Sequence, residues 1–185
     1  MKNATYISAI LFLISSYGFA QNKSKTTSVL EKTQAYKGFF DFNYHPEKDA
    51  IYLTVKALDQ EFLYVNSLSS GMGNNDIGLD RGQLGNERLV SFSKSGNKLM
   101  LIQPNLRYRS TSNNPLEQRS IKEAFAKSVL YGFPIVESTK EGHVIDLTPF
   151  LMQDAHGVAK RLKQLKQGNY SIDQSRSAVS LERTK

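Results

Sequence analysis

Apolar and polar residues alternate with period two along much of the first hundred positions. In YKGFFDFNYH, Tyr36, Phe40, Phe42 and Tyr44 share one parity, and Lys37, Asp41, Asn43 and His45 share the other. That spacing predicts a half-buried β-strand. HPEKDA is a turn, with Pro46 fixing the backbone and Asp49 free to bond locally. In AIYLTVKAL, Ile51, Leu53 and Val55 alternate with Tyr52, Thr54 and Lys56, which completes a hairpin. EFLYVNSLS reads as a third strand. RLVSFSK and NKLMLIQ flank Ser95-Gly96, a compact hairpin turn.

The period then changes. Asn114-Pro115-Leu116-Glu117 is a helix start, with a capping Asn, Pro at the first helical position and an acid placed to reach back. Ile121, Ala124, Phe125 and Val129 fall on one helical stripe, which Gly132 is expected to end. FPIVES and HVIDL read as a strand pair across TKEG. Thr148-Pro149 opens a short helical turn. Val158, Leu162 and Leu165 then mark a last helix. Asp154 stands before it as a cap and His156 falls near its first turn. Positions two apart do not face each other on a helix, so Asp154 and His156 read as a capping arrangement, not a catalytic pair. The expected fold class is α+β: an antiparallel β-meander or partly closed sheet of six to eight strands, followed by C-terminal helices. Phe40, Phe42, Ile51, Leu53, Val55, Leu89, Leu99 and Leu101 are the expected core.

The ends differ from this body. MKNATYISAILFLISSYGFA carries Lys2, a short apolar run from Tyr6 to Ile14, and a small-x-small site at Gly18 and Ala20. This is the pattern of a secretory signal peptide over residues 1–20, cleaved after Ala20, and it predicts a secreted or periplasmic protein. The run of about nine residues is far short of the roughly twenty that a membrane span needs. Residues 21–35 read as a flexible leader, residues 36–168 as the α+β domain, and residues 169–185 as the start of a connection to further sequence. The mature length suffices for one domain with a real core. The chain has no Cys, which excludes thiol catalysis and Cys-ligated metal.

The formal charge of +7 first suggests nucleic acid. Its distribution argues against that. Residues 158–185 hold seven Lys/Arg against two Asp/Glu, whereas residues 21–157 hold sixteen against fifteen. A basic helix end favoured by the backbone dipole accounts for most of the excess, and no nucleic-acid partner is expected.

The chemistry is sparse. His45, His143 and His156 are never four apart, and neither HExxH nor GxSxG occurs. No catalytic, cofactor or metal residue is therefore assigned. SSGMGNNDIGLDRGQLGNE holds five glycines between positions 71 and 85, but Asp76 stands where a dinucleotide loop needs its third glycine. Asn74, Asn75, Asp76 and Asp80 offer oxygens without the order of a calcium loop. Asp76, Asp80 and Arg81 are the candidate interaction residues of this loop, with Arg81 expected to pin it by hydrogen bonds. Long shaped loops in compact domains are often functional.

The runs NDIGLDRGQLG, SVLYGFPI, LTPFLMQDAHGVAKRLK and SRSAVSLERTK together resemble the N-terminal domain of a family of large secreted bacterial zinc-dependent metalloproteases. The resemblance covers about Tyr36 to Lys185. In that family this domain has no known function, and a metzincin-like catalytic domain with HExxHxxGxxH follows it. None of His45, His143 or His156 matches those ligands, so no residue role is carried over. The resemblance implies a fragment or isolated domain of a zinc metallopeptidase, with the zinc in the downstream protease domain. That domain would be the partner of this chain, with a peptide substrate beyond it. Two other classes stay open: a free-standing secreted binding module for a glycan, peptide or ion, and a small hydrolase using His143 or His156.

Overall fold

The computed structural model describes residues 27–71, 73 and 77–183. The expected signal peptide lies outside the described residues, as do Asn74, Asn75 and Asp76 of the glycine-rich loop.

Eight strands form one antiparallel sheet: β1 (Gln34–Tyr36), β2 (Asp41–His45), β3 (Ala50–Val55), β4 (Phe62–Tyr64), β5 (Arg88–Ser95), β6 (Lys98–Gln103), β7 (Ser128–Ser138) and β8 (His143–Asp146). Their order across the sheet is β1-β2-β3-β8-β7-β6-β5-β4. Two meanders, β1–β3 and β4–β8, are thus joined where their last strands pair, Leu53 facing Ile145. Three short α-helices lie among the described residues: α1 (Pro115–Ala124), α2 (Thr148–Leu151) and α3 (Val158–Gln164).

The main core lies on one face of this curled sheet. Leu53, Val55, Val90, Phe92, Leu99, Leu101, Phe133, Ile135 and Ile145 form it. A chain of aromatic contacts crosses it: Phe40 to Phe92 at 6.0 Å, Phe92 to Phe133 at 6.0 Å and Phe133 to Phe150 at 5.6 Å between ring centroids. Such edge-to-face pairs add to the area term that dominates burial. β3 is buried on both faces, because Ala50, Tyr52 and Val144 form a second cluster under Val29 and Leu30. Those two residues come from the stretch expected as a leader. Ser28 Oγ and Val29 N–H donate to Glu137 Oε2 at 2.7 and 3.0 Å, and β1 pairs with β2 from Gln34 onward.

The expected α+β class is corrected to a mainly β fold. None of the three helices buries a residue completely, and only α2 seats a ring, Phe150, on the core, so they make no helical layer over the sheet. The expected stripe from Ile121 to Val129 breaks at Ala124. Asn114 does cap α1, its side chain accepting from Leu116 N–H at 3.0 Å. Glu117, however, accepts from Ser110 Oγ instead of reaching back to the cap. Val129 and Gly132 belong to β7, where pairing with β6 gives the backbone a partner that local helical spacing does not reveal. Gly132 faces Met100 there, and a Cβ on it would lie 3.2 Å from the Met100 sulfur. Within β5, Val90 and Phe92 enter the core while Leu89 stays half-buried. The β5–β6 turn falls on Gly96-Asn97, since Ser95 pairs with Lys98 and Gly96 has φ of 58°.

One ion-pair cluster has a pH consequence. Asp41 accepts from Lys56 Nζ at 2.5 Å and Lys37 Nζ at 3.1 Å. Hydrogen bonds from Lys56 first, then Lys37, hold its carboxyl at about 2 against an ordinary 3.8. A depressed folded-state value contributes stability above the unfolded value, and that contribution is lost as pH falls through the folded one. The unfolding-midpoint difference between the parent chain and Asp41→Asn should therefore shrink as pH drops from about 4 to about 2. Thermal melts across that window check it, and a difference independent of pH would sink the assignment.

Candidate functional groove

β8 runs directly into the segment that builds a groove on the surface. Leu147 N–H donates to Ile51 O at 2.8 Å, Ile51 N–H donates to Thr148 Oγ1 at 2.9 Å, and Thr148 N–H donates to Asp146 Oδ1 at 2.9 Å. These bonds fix the start of α2 on the sheet. Phe150 then seats it, with ring centroids 5.4 Å from Tyr131 and 5.7 Å from Tyr64.

Beyond α2 the chain turns back through Asp154. Its carboxylate accepts from Val158 N–H at 2.7 Å and Ala159 N–H at 2.9 Å, across Gly157 in the left-handed conformation. This satisfies free donors at the start of α3, as the capping expectation required. The Asp154 carboxylate is thereby committed to the backbone. Asp154→Ala should lower stability by about 1 kcal/mol, read as a shifted urea midpoint, and an unchanged midpoint would remove the cap from the account.

The chain after α3 returns along this region. Gln174 Nε2 donates to Met152 O at 3.1 Å, and Val179 N–H donates to Asp49 Oδ2 at 3.0 Å, so residues 170–179 lie against the domain. Asp173 organises the local turn. The Ser175 hydroxyl at 2.6 Å is the largest influence holding its carboxyl below the usual range, with Arg176 Nε at 2.9 Å adding to it.

Between residues 64–68, 150–159 and 170–178 runs a groove of about 850 Å³. Leu151, Tyr170 and Ile172 give it exposed apolar surface, Tyr170 being 61% exposed. Asn66 and His156 line it, and Asn66 Nδ2 and His156 Nε2 are buried without a hydrogen-bond partner among the described residues. A buried polar nitrogen left unsatisfied costs about 1–3 kcal/mol.

Part of the glycine-rich loop is anchored by apolar burial. Ile77 and Leu79 are buried, and Arg161 of α3 lies against Gly78, its guanidinium 3.6 Å from where a Cβ would sit. Asp80 and Arg81 are exposed. Asp80 contributes its backbone oxygen to Gln83 N–H at 3.1 Å. Two apolar side chains and the proximity of Arg161 thus hold the described part of the loop.

The histidines do not converge. His45 is buried at the end of β2 with Nδ1 unpartnered, His143 Nδ1 lies 2.9 Å from Ser138 Oγ, and His156 lines the groove. Among the described residues no group of three or more His, Asp or Glu could hold a metal ion, and no helix is long and apolar enough to cross a membrane.

A family model described as a domain of unknown function (DUF5117) matches residues 82–185. No curated protein and no solved structure matches the chain.

Proposed function

The chain belongs to the DUF5117 family, and from that premise we propose that it is the non-catalytic N-terminal domain of a secreted zinc-dependent metallopeptidase. In this reading the domain packs against a downstream protease domain and helps fold it or shape its cleft. Zinc and the catalytic residues belong to that downstream domain. Three of the four sequence runs that carry the metalloprotease resemblance, SVLYGFPI, LTPFLMQDAHGVAKRLK and SRSAVSLERTK, lie inside the matched residues.

The observation that carries the docking part is the groove. Its open wall of Leu151, Tyr170 and Ile172 is apolar surface that a second folded unit would remove from water. The first test is to read the native locus past codon 185. A continuing frame that encodes HExxHxxGxxH supports the reading. A frame that closes there overturns it and moves weight to a free-standing binding module. The second test compares the chain with the longer polypeptide from that locus. Oxidative labelling of Tyr170 should fall when the downstream domain is present, and equal labelling would count against docking at this face.

A further inference from the structure

We propose that the groove receives an extended segment of the downstream domain as an added β-strand, hydrogen-bonded along the open edge at Ser67. This deepens the docking reading above and rests on it. β4 is the last strand of the sheet, and among the described residues its continuation has strand-like pairing on one side only. Ser67 bridges Leu84, with Gly85 N–H donating to Asn66 O at 2.7 Å and Leu68 N–H donating to Gln83 O at 3.0 Å.

In an antiparallel bridge of this kind the flanking residues bond inward. The N–H and C=O of Ser67 itself then point the opposite way. Ser67 is exposed and lines the groove. An unpaired strand edge is a template for another chain, and side chains at alternate positions of an added strand give such pairing its specificity. Here those side chains would meet Leu151, Tyr170 and Ile172, which wall the same groove. Backbone edge and apolar wall together fit an extended polypeptide better than a glycan, which has no backbone amide to pair with Ser67.

The experiment is amide hydrogen exchange at Ser67 in the isolated chain and in the longer polypeptide encoded by the native locus. Strand addition should slow exchange of that amide at least about tenfold in the longer polypeptide. A slowed Ser67 amide together with a shielded Tyr170 supports the proposal. An unchanged Ser67 amide with Tyr170 shielded overturns strand addition while leaving domain docking in place. Unchanged values at both positions overturn both. Ser67→Pro provides a second arm, because Pro removes the outward N–H at an edge position that needs no bond to the sheet. In the longer polypeptide it should restore Tyr170 labelling toward the level of the isolated chain. Labelling that stays low in a Ser67→Pro protein with unchanged melting also overturns the proposal.

Discussion

Phe133→Ala should cost about 3–5 kcal/mol, the range for truncating a buried aromatic ring. Phe133 is fully buried on β7, at the middle of the sheet. Its ring contacts Phe92 at 6.0 Å, Tyr131 at 4.6 Å and Phe150 at 5.6 Å. Removing it opens a cavity bounded by residues of strands fixed on both sides, Leu99 of β6 facing it directly in register. Strands held by two neighbours have little freedom to collapse into the space, which places the cost toward the upper end. A loss of this size is a large share of the total stability of about 5–15 kcal/mol. The groove should loosen as well, because Phe150 seats α2 partly on this ring. Phe39→Ala is the control: its side chain is 81% exposed, and its cost should stay within about 0.5 kcal/mol. Guanidinium unfolding of the two variants decides the matter. A Phe133→Ala loss below about 1 kcal/mol would show that the core is not organised around this ring.

How much of this architecture the sequence discloses depends on whether a segment's partner is local. β2, β3, β5, β6 and β8 are legible because alternation marks a strand whatever lies beside it. Within them, the buried parity is legible only when one parity is clearly more apolar. It is so for Leu99 and Leu101. It is ambiguous for RLVSFSK, where Leu89 competes with Val90 and Phe92, and pairing of Leu89 with Leu63 resolves it by placing both on the less buried side. The beginning of β7 is hidden for a different reason. Residues 121–129 satisfy a helical stripe, and only a distant partner, β6, converts Val129 to strand. The Asp154 cap is readable from its neighbours alone, and its carboxylate does bond the first N–H groups of α3. The groove is illegible from the sequence. Its walls come from three stretches separated by some eighty and then some ten residues, and no periodicity links Asn66 to His156 or Tyr170. The only sequence signal is the pair of isolated apolar residues, Tyr170 and Ile172, in an otherwise polar segment.

Gly142→Ala should be among the most damaging single-methyl changes in the chain. Gly142 lies just before β8, in the β7–β8 hairpin, where its carbonyl accepts from Thr139 N–H at 2.9 Å. Its φ of 152° belongs to the region that L side chains rarely adopt. A Cβ there would also overlap the Val55 carbonyl oxygen and lie 2.8 Å from its carbon and 3.0 Å from Lys56 Cα. All three atoms are backbone, so no side chain can swing aside. The strained dihedral and the overlap each cost about 1–3 kcal/mol, giving about 2–6 kcal/mol together. The consequence reaches beyond the turn. Val55 pairs with His143 in the β3–β8 ladder, the seam that joins the two meanders. Relief of the overlap means moving that seam apart, so amide protection should fall along β3 and β8 more than in the β5–β6 hairpin. Gly96→Ala separates the two causes: Gly96 also has positive φ, at 58°, but a Cβ there meets nothing within 4 Å. It should show the dihedral cost alone, about 1 kcal/mol. Equal destabilisation by the two variants would refute the close approach to Val55 as the reason this position is glycine, and with it the view that Gly142 lets the two meanders close into one sheet.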